Sequence, residues 1–174
     1  MKRKFLLQDK FSEIGMILPN NRILGLGLSN RQFRISTDAA YTLWSKGRQK
    51  DPMPEDTGLG GMQGSQVHPF LMGQTNNKKD WYGIFFVGGQ ASSFEVISVQ
   101  NTDKIILNYI TTGANIEFYI YMRGTAKQII QKYQHDIGFP ALPPYYSLGI
   151  FTGSRYDTDW GNVDAIINKT IAYN

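Results

Sequence analysis

Cysteine is absent from the 174 residues. That excludes a disulfide-stapled scaffold, a cysteine zinc site and thiol catalysis. Histidine is scarce, with His68 and His135 alone, too few for a self-contained histidine metal site. No apolar run reaches the roughly 18 residues that a membrane-crossing helix needs. The basic start Met1-Lys2-Arg3-Lys4 leads into Phe5-Leu6-Leu7, but Gln8 ends that stretch before it is long enough for a signal-peptide core. No metal, cofactor or membrane partner is therefore expected.

What remains is a chain that can build a core. Apolar residues make up 41% and charged residues 18%, a balance outside the disordered range and sized for one domain with room for an appendage. Lysine and arginine number 18 against 14 acidic residues, a formal +4. A basic excess invites a nucleic-acid reading, yet the densest basic stretch, Arg31 to Lys50, is broken by Asp38 and apolar residues. It reads as solvated surface, and no nucleic-acid partner is expected. Aromatics reach 13%. Most of them suit a β-sheet core, and a minority suit platforms for sugar rings.

Strand patterning dominates the first two thirds. From Ile116 to Met122, Ile116, Phe118, Ile120 and Met122 alternate with Glu117, Tyr119 and Tyr121, which predicts a half-buried strand. Lys104 to Ile110 is a second β-rich run, and Thr112 to Asn115 between them reads as a hairpin loop. Trp81–Val87 and Phe94–Val99 read as another pair around Gly88-Gly89-Gln90, with shorter strands in Arg22–Gly27 and Phe33–Trp44. Turn signals about a dozen residues apart predict an antiparallel sandwich or barrel. Asp51 to Gln66, rich in glycine and proline and without periodicity, predicts a long loop. Its glycines lack the Gly-Lys-Ser/Thr of a phosphate loop, and Gly25-Leu26-Gly27 lacks the third glycine of a dinucleotide fingerprint.

After Gly124 the period changes. Thr125 can cap a helix whose stripe is Ile129, Ile130, Tyr133 and Ile137, stopped by Gly138. A stiff joint, Phe139-Pro140-Ala141-Leu142-Pro143-Pro144, follows. Tyr146–Thr152 then reads as a strand, and Val163, Ile166, Ile167, Thr170 and Ile171 as a helix stripe. A lone β–loop–α unit cannot cover its own strand, so the chain is expected to be part of a larger α/β protein.

No catalytic constellation can be assembled from these residues. Asp51, Glu55 and Asp56 cluster in the glycine-rich loop, where a solvated acidic surface is the simpler reading than a cation or sugar site. Asp157 and Asp159 follow the predicted late strand, and Asp159 suits a helix cap. His68 fits a structural hydrogen bond, and His135 the C-terminal end of its helix. Asn168-Lys169-Thr170 matches a glycosylation sequon on a predicted helix.

Five segments in fixed order carry a resemblance. They are Gly25-Leu26-Gly27, Tyr41-Thr42-Leu43-Trp44, Val67-His68-Pro69-Phe70, Gly83-Ile84-Phe85-Phe86, and Ile137-Gly138-Phe139-Pro140-Ala141-Leu142-Pro143-Pro144-Tyr145-Tyr146-Ser147-Leu148-Gly149. Together they resemble glycoside hydrolase family 31, the α-glucosidase family. The resemblance implies a mainly β fold: an incomplete galactose-mutarotase-like antiparallel β-sandwich, a short helix, then the first β–α unit of a (β/α)8 barrel. It implies boundaries at 1–123 for the sandwich, 124–144 for the helix and joint, and 145–174 for the barrel start. It also implies a retaining hydrolase of α-glucosidic bonds that uses two carboxylates. The segments that bear those carboxylates have no counterpart in this chain, so no catalytic residue is expected in it.

The family's sugar-contacting Asn-x-Asp after the tryptophan is replaced by Ser45-Lys46-Gly47, and Leu28 stands where the family has glutamate. Gln90 to Phe94 replaces the family's Asn-Ser-Asn-Ala-Met. By resemblance, Trp44, Asp51 and Tyr156 become the candidate sugar contacts, with α-linked glucosides as the ligands of the whole protein. The alternative is a stand-alone carbohydrate-binding or interaction sandwich that uses Trp44, Trp81 and Trp160 as platforms. A sandwich short of strands is also expected to expose an apolar edge and to be poorly soluble.

Overall fold

Alternating strands such as Ile105–Thr111, in which every second side chain is buried, need a second layer to bury their apolar face, and the chain supplies one. The computed structural model describes residues 5–29, 33–43, 63–149 and 160–172. Its strands are β1 (Phe5–Gln8), β2 (Phe11–Leu18), β3 (Ile23–Ser29), β4 (Ala39–Leu43), β5 (Gln63–Gln74), β6 (Trp81–Val87), β7 (Ser92–Ser98), β8 (Ile105–Thr111) and β9 (Glu117–Met122). They form two antiparallel sheets, of order β1-β2-β8-β7-β4 and β3-β5-β6-β9. The expected mainly β sandwich is present.

The core lies between the sheets. Tyr41, Phe94, Leu107 and Tyr109 come from one sheet, and Leu71, Ile84 and Phe86 from the other. Phe86 stacks on Tyr109 with ring centroids 4.4 Å apart and meets Phe94 edge-on at 5.0 Å. Burying each such ring is worth about 2–3 kcal/mol.

Two pairings differ from the sequence reading. Strands β6 and β7 lie in different sheets, as do β8 and β9, so Gly88–Gln90 and Thr112–Asn115 are crossovers between layers rather than hairpins. Turn residues mark where a chain reverses, but they do not say which sheet the next strand joins. Gln63–Gln66, expected in a loop, belongs to β5, and the rest of that loop, 51–62, lies outside the described residues. The β1–β2 hairpin, which turns at Asp9 and Lys10, had no clean alternation to announce it.

Helix α1 (Ala126–Ile137) covers the outer face of the second sheet. Thr125 and Gln128 form a reciprocal capping box, and Gly138 closes the helix at φ +90°. This matches the expected start and stop. Of the expected stripe, Ile129 and Tyr133 are buried, whereas Ile130 and Ile137 stay partly exposed. Gly83 permits the close approach: a Cβ there would lie 2.8 Å from the Ile129 side chain and 3.1 Å from the Phe70 ring.

The chain divides into two compact units, Met1–Gly138 and Phe139–Asn174. Within the second, Tyr145–Leu148 forms a 3-10 turn and Trp160–Ala172 forms helix α2. The helix falls where the late stripe predicts it. The expected strand over 146–152 does not begin as one, because Ser147 donates through both N–H and Oγ to the Pro144 carbonyl, at 2.9 and 2.7 Å. That wraps the segment into a turn. Residues 150–159 lie outside the described residues.

Candidate functional site

Strand registers define which loops share an end of the sandwich. Leu43 pairs with Ser92, Ser92 with Thr111, and Thr111 with Ser12; in the other sheet Val87 pairs with Glu117. The C-terminus of β4 therefore ends level with the 88–91 and 112–116 crossovers. These two are tied together: Thr112 donates to the Ala91 carbonyl through its backbone N–H at 3.1 Å and its hydroxyl at 3.3 Å. Gly113 lies against the Gln90 side chain, where a Cβ would come within 3.0 Å of it.

Segment 44–62 is flanked by the C-terminus of β4 and the N-terminus of β5, at this same end. Trp44 and Asp51 fall in that segment and Tyr156 in the second unit; all three lie outside the described residues. Ser92 and Phe94, in the stretch that departs from the family pattern, are buried strand residues, and Phe94 is fully enclosed in the core.

The approach to this end along β3 is distorted. Gly25, Leu26 and Gly27 have φ of +127°, +65° and +88°, and the β3–β5 register shifts twice around them. Leu26 is fully buried in that left-handed conformation, which costs a non-glycine residue roughly 1–2 kcal/mol. A Cβ at Gly25 would sit 2.4 Å from the Phe70 carbonyl oxygen, so only glycine fits. This is a bulge of the kind that redirects a strand end.

The other resemblance-bearing residues converge on α1. The Tyr133 ring stacks on Phe70 and meets His68 and Phe85 edge-on, at 5.6 and 5.1 Å. Its hydroxyl shares a 2.9 Å hydrogen bond with His68 Nε2. The loss of solvent around His68 lowers its pKa from the ordinary 6.5, which favours the neutral ring. Burial, with Asp136 nearby, pushes the Tyr121 hydroxyl up to about 12. His68 is thus a structural partner of the helix.

Four carboxylates of the sandwich are engaged locally. Asp38 accepts from the Ser98 N–H and Oγ at 2.9 and 2.8 Å, which lowers its pKa. Asp80 accepts from Asn77, Glu95 from Asn108, and Glu117 from the Tyr119 hydroxyl. Among the described residues there is no group of three metal-ligating side chains, and no helix is long and apolar enough to cross a membrane. One feature with no sequence signature is an open polar cavity of about 300 Å³ lined by Asn21, Arg34, Ile35, Ser36 and Thr37.

No protein-family model matches the chain. Individual proteins do. It is 31% identical to human intestinal sucrase-isomaltase over 149 residues, covering 86% of this chain and 8% of that protein. It is 29% identical to mouse lysosomal alpha-glucosidase over 142 residues, covering 81% of this chain and 13% of the relative. The human probable maltase-glucoamylase 2 is 24% identical over 160 residues, 91% of this chain and 6% of that protein. The chain thus spans a small part of the length of the curated relatives it matches.

Proposed function

We propose, from the premise that this chain is a homologue of the glycoside hydrolase family 31 enzymes over most of its length, that it forms the supporting sandwich of an α-glucosidase-type glycosidase. In this reading residues 1–123 are the later part of the sandwich. Residues 124–144 are the connecting helix and joint, and 145–174 open the catalytic barrel. The whole protein acts on α-linked glucosides by a retaining mechanism, one carboxylate as nucleophile and one as acid/base. Both carboxylates belong to sequence this chain does not carry, so the chain is itself non-catalytic.

The carrying observation is the convergence of the family motifs on one helix. His68 and Phe70 from β5, and Gly83 and Phe85 from β6, all abut α1. That helix leads directly into the Phe139–Gly149 segment, the most specific element of the resemblance. In this reading Trp44, Asp51 and Tyr156 are the residues that contact the sugar.

The chain alone is expected to leave a chromogenic α-glucoside unhydrolysed, and turnover by it would overturn the non-catalytic assignment. In a longer, active protein that contains the chain, Asp51→Asn is expected to raise KM for the glucoside about tenfold, the loss of one charge-assisted hydrogen bond. An unchanged KM would remove Asp51 from the sugar site.

A further inference from the structure

The polar cavity lies at the end of the sandwich opposite the C-terminus of β4 and the N-terminus of β5. Asn21 lies in the turn before β3, where Asn20 Oδ1 accepts from the Arg22 N–H at 2.9 Å, and residues 33–37 run back along β3, held by the Leu24–Arg34 bridge and by the Ile35 N–H on the Ile23 carbonyl at 3.0 Å. Arg34 Nη2 donates to Asn21 Oδ1 at 3.1 Å, an exposed bond between two of the residues that line the cavity. The Ser36 N–H donates to Tyr41 Oη at 2.8 Å, anchoring the segment in which Ser36 and Thr37 line the same cavity.

Among the described residues no carboxylate lines this cavity. The nearest acid in sequence, Asp38, sits at φ +57° and directs its carboxylate to Ser98. Arg22, beside Asn21, adds a second positive charge, and its Nη1 rests on Gln74 Oε1 at 3.3 Å. Among the described residues, a guanidinium with most of its fork unused lines the same cavity as two hydroxyl residues and no acid, the donor set of an oxyanion site.

We propose that Arg34, with Ser36 and Thr37, binds a small oxyanion, either free phosphate or a phosphoryl group carried on a sugar. The cavity volume suits a phosphate with part of a pyranose ring. The site is separate from the sugar contacts proposed above and does not depend on them.

The test is hydrogen–deuterium exchange of the whole chain at submicromolar concentration, with ionic strength held constant by sodium chloride so that screening does not change. The peptide spanning residues 33–38 is expected to exchange about tenfold more slowly in phosphate at ten times its Kd, by mass action on the bound form. Glucose 6-phosphate acting at a tenfold lower concentration than phosphate assigns the sugar-borne source, and equal potency assigns the free ion. Arg34→Gln is expected to abolish the protection, and Arg34→Lys, which keeps charge without the fork, to weaken it several-fold. Protection by neutral glucose alone, none by either phosphate, or full protection in Arg34→Gln would overturn the proposal.

Discussion

The Tyr133 ring of α1 lies parallel to Phe70 of β5, centroids 4.2 Å apart and planes 16° from parallel. Two residues before Phe70 on the same strand face, His68 Nε2 shares a hydrogen bond with the hydroxyl of the same tyrosine. Much of the attachment of the helix to the sandwich therefore runs through one side chain, which also meets Phe85 of β6 and Tyr121 of β9 edge-on. Ile129, one turn earlier, supplies the remaining buried contact over Gly83.

Substitution at Tyr133 separates the two parts of this attachment. Tyr133→Phe keeps the stack and loses the hydrogen bond, with an expected cost of about 1 kcal/mol. Tyr133→Ala also removes a buried ring, with an expected cost of about 3–5 kcal/mol. Chemical denaturation measures both. Equal losses in the two variants would show that the stack contributes nothing.

His68 makes the same contact pH-dependent. Its pKa is lowered in the folded chain, so the unfolded chain takes up a proton near the ordinary 6.5 while the folded chain does so only at lower pH. Between those values the unfolded state binds more protons, and stability falls as the pH drops from neutrality through 6.5. A melting temperature lower at pH 5.5 than at pH 7.5 is expected, with the difference reduced in His68→Gln. An identical pH response in that variant would place the effect elsewhere.

What could be read from the sequence follows from how local each signal is. The bounds of Trp81–Val87 are read correctly because its apolar run is closed by Asp80 and by two glycines. The Thr125 cap of α1 is written in four residues. Sheet membership is not local: Thr112–Asn115 carries the same turn chemistry whether β9 returns beside β8 or crosses to β6. The inward face of β9 is legible as far as Ile116 and Phe118, which pack on the core, but how far along the strand that face is covered is not. Ile120 and Met122 look like core by alternation, yet Tyr121, on the other face, is the buried one because α1 packs there. The cavity at Arg34 was invisible because Asn21 and Ser36 meet it only through the β3 fold-back. The candidate sugar contacts Trp44, Asp51 and Tyr156 rest on the motif resemblance, for the geometry of their segments lies outside the described residues.

Tyr82 tests whether every aromatic of the core is optimal. Its ring covers Gly73, where a Cβ would collide with it, and its Oη is buried without a hydrogen-bond partner among the described residues. Burial raises the pKa of that hydroxyl strongly. An unmet buried hydroxyl costs about 1–3 kcal/mol, so Tyr82→Phe is expected to stabilise the chain by about 1 kcal/mol. A destabilised variant in the same denaturation assay would reveal a partner for the hydroxyl.

The sandwich is also open along one flank. Among the described residues β1 and β9 are each one of the two edge strands of their sheets, and Phe5, Leu7, Ile120 and Met122 upon them are between 54% and 66% exposed. Unpaired edges flanked by apolar side chains template pairing with another chain. The isolated chain is therefore expected to self-associate at micromolar concentration, as seen by sedimentation. Ile120→Lys combined with Met122→Lys places two like charges along the β9 edge, where association would bring them against the same charges of a second copy. That variant is expected to shift the sedimentation profile towards monomer without lowering the melting temperature, since neither side chain is buried. A wild-type chain that sediments as one monomeric species and melts cooperatively would show that this flank is no liability. A lysine variant that aggregates as before would move the sticky surface to β1.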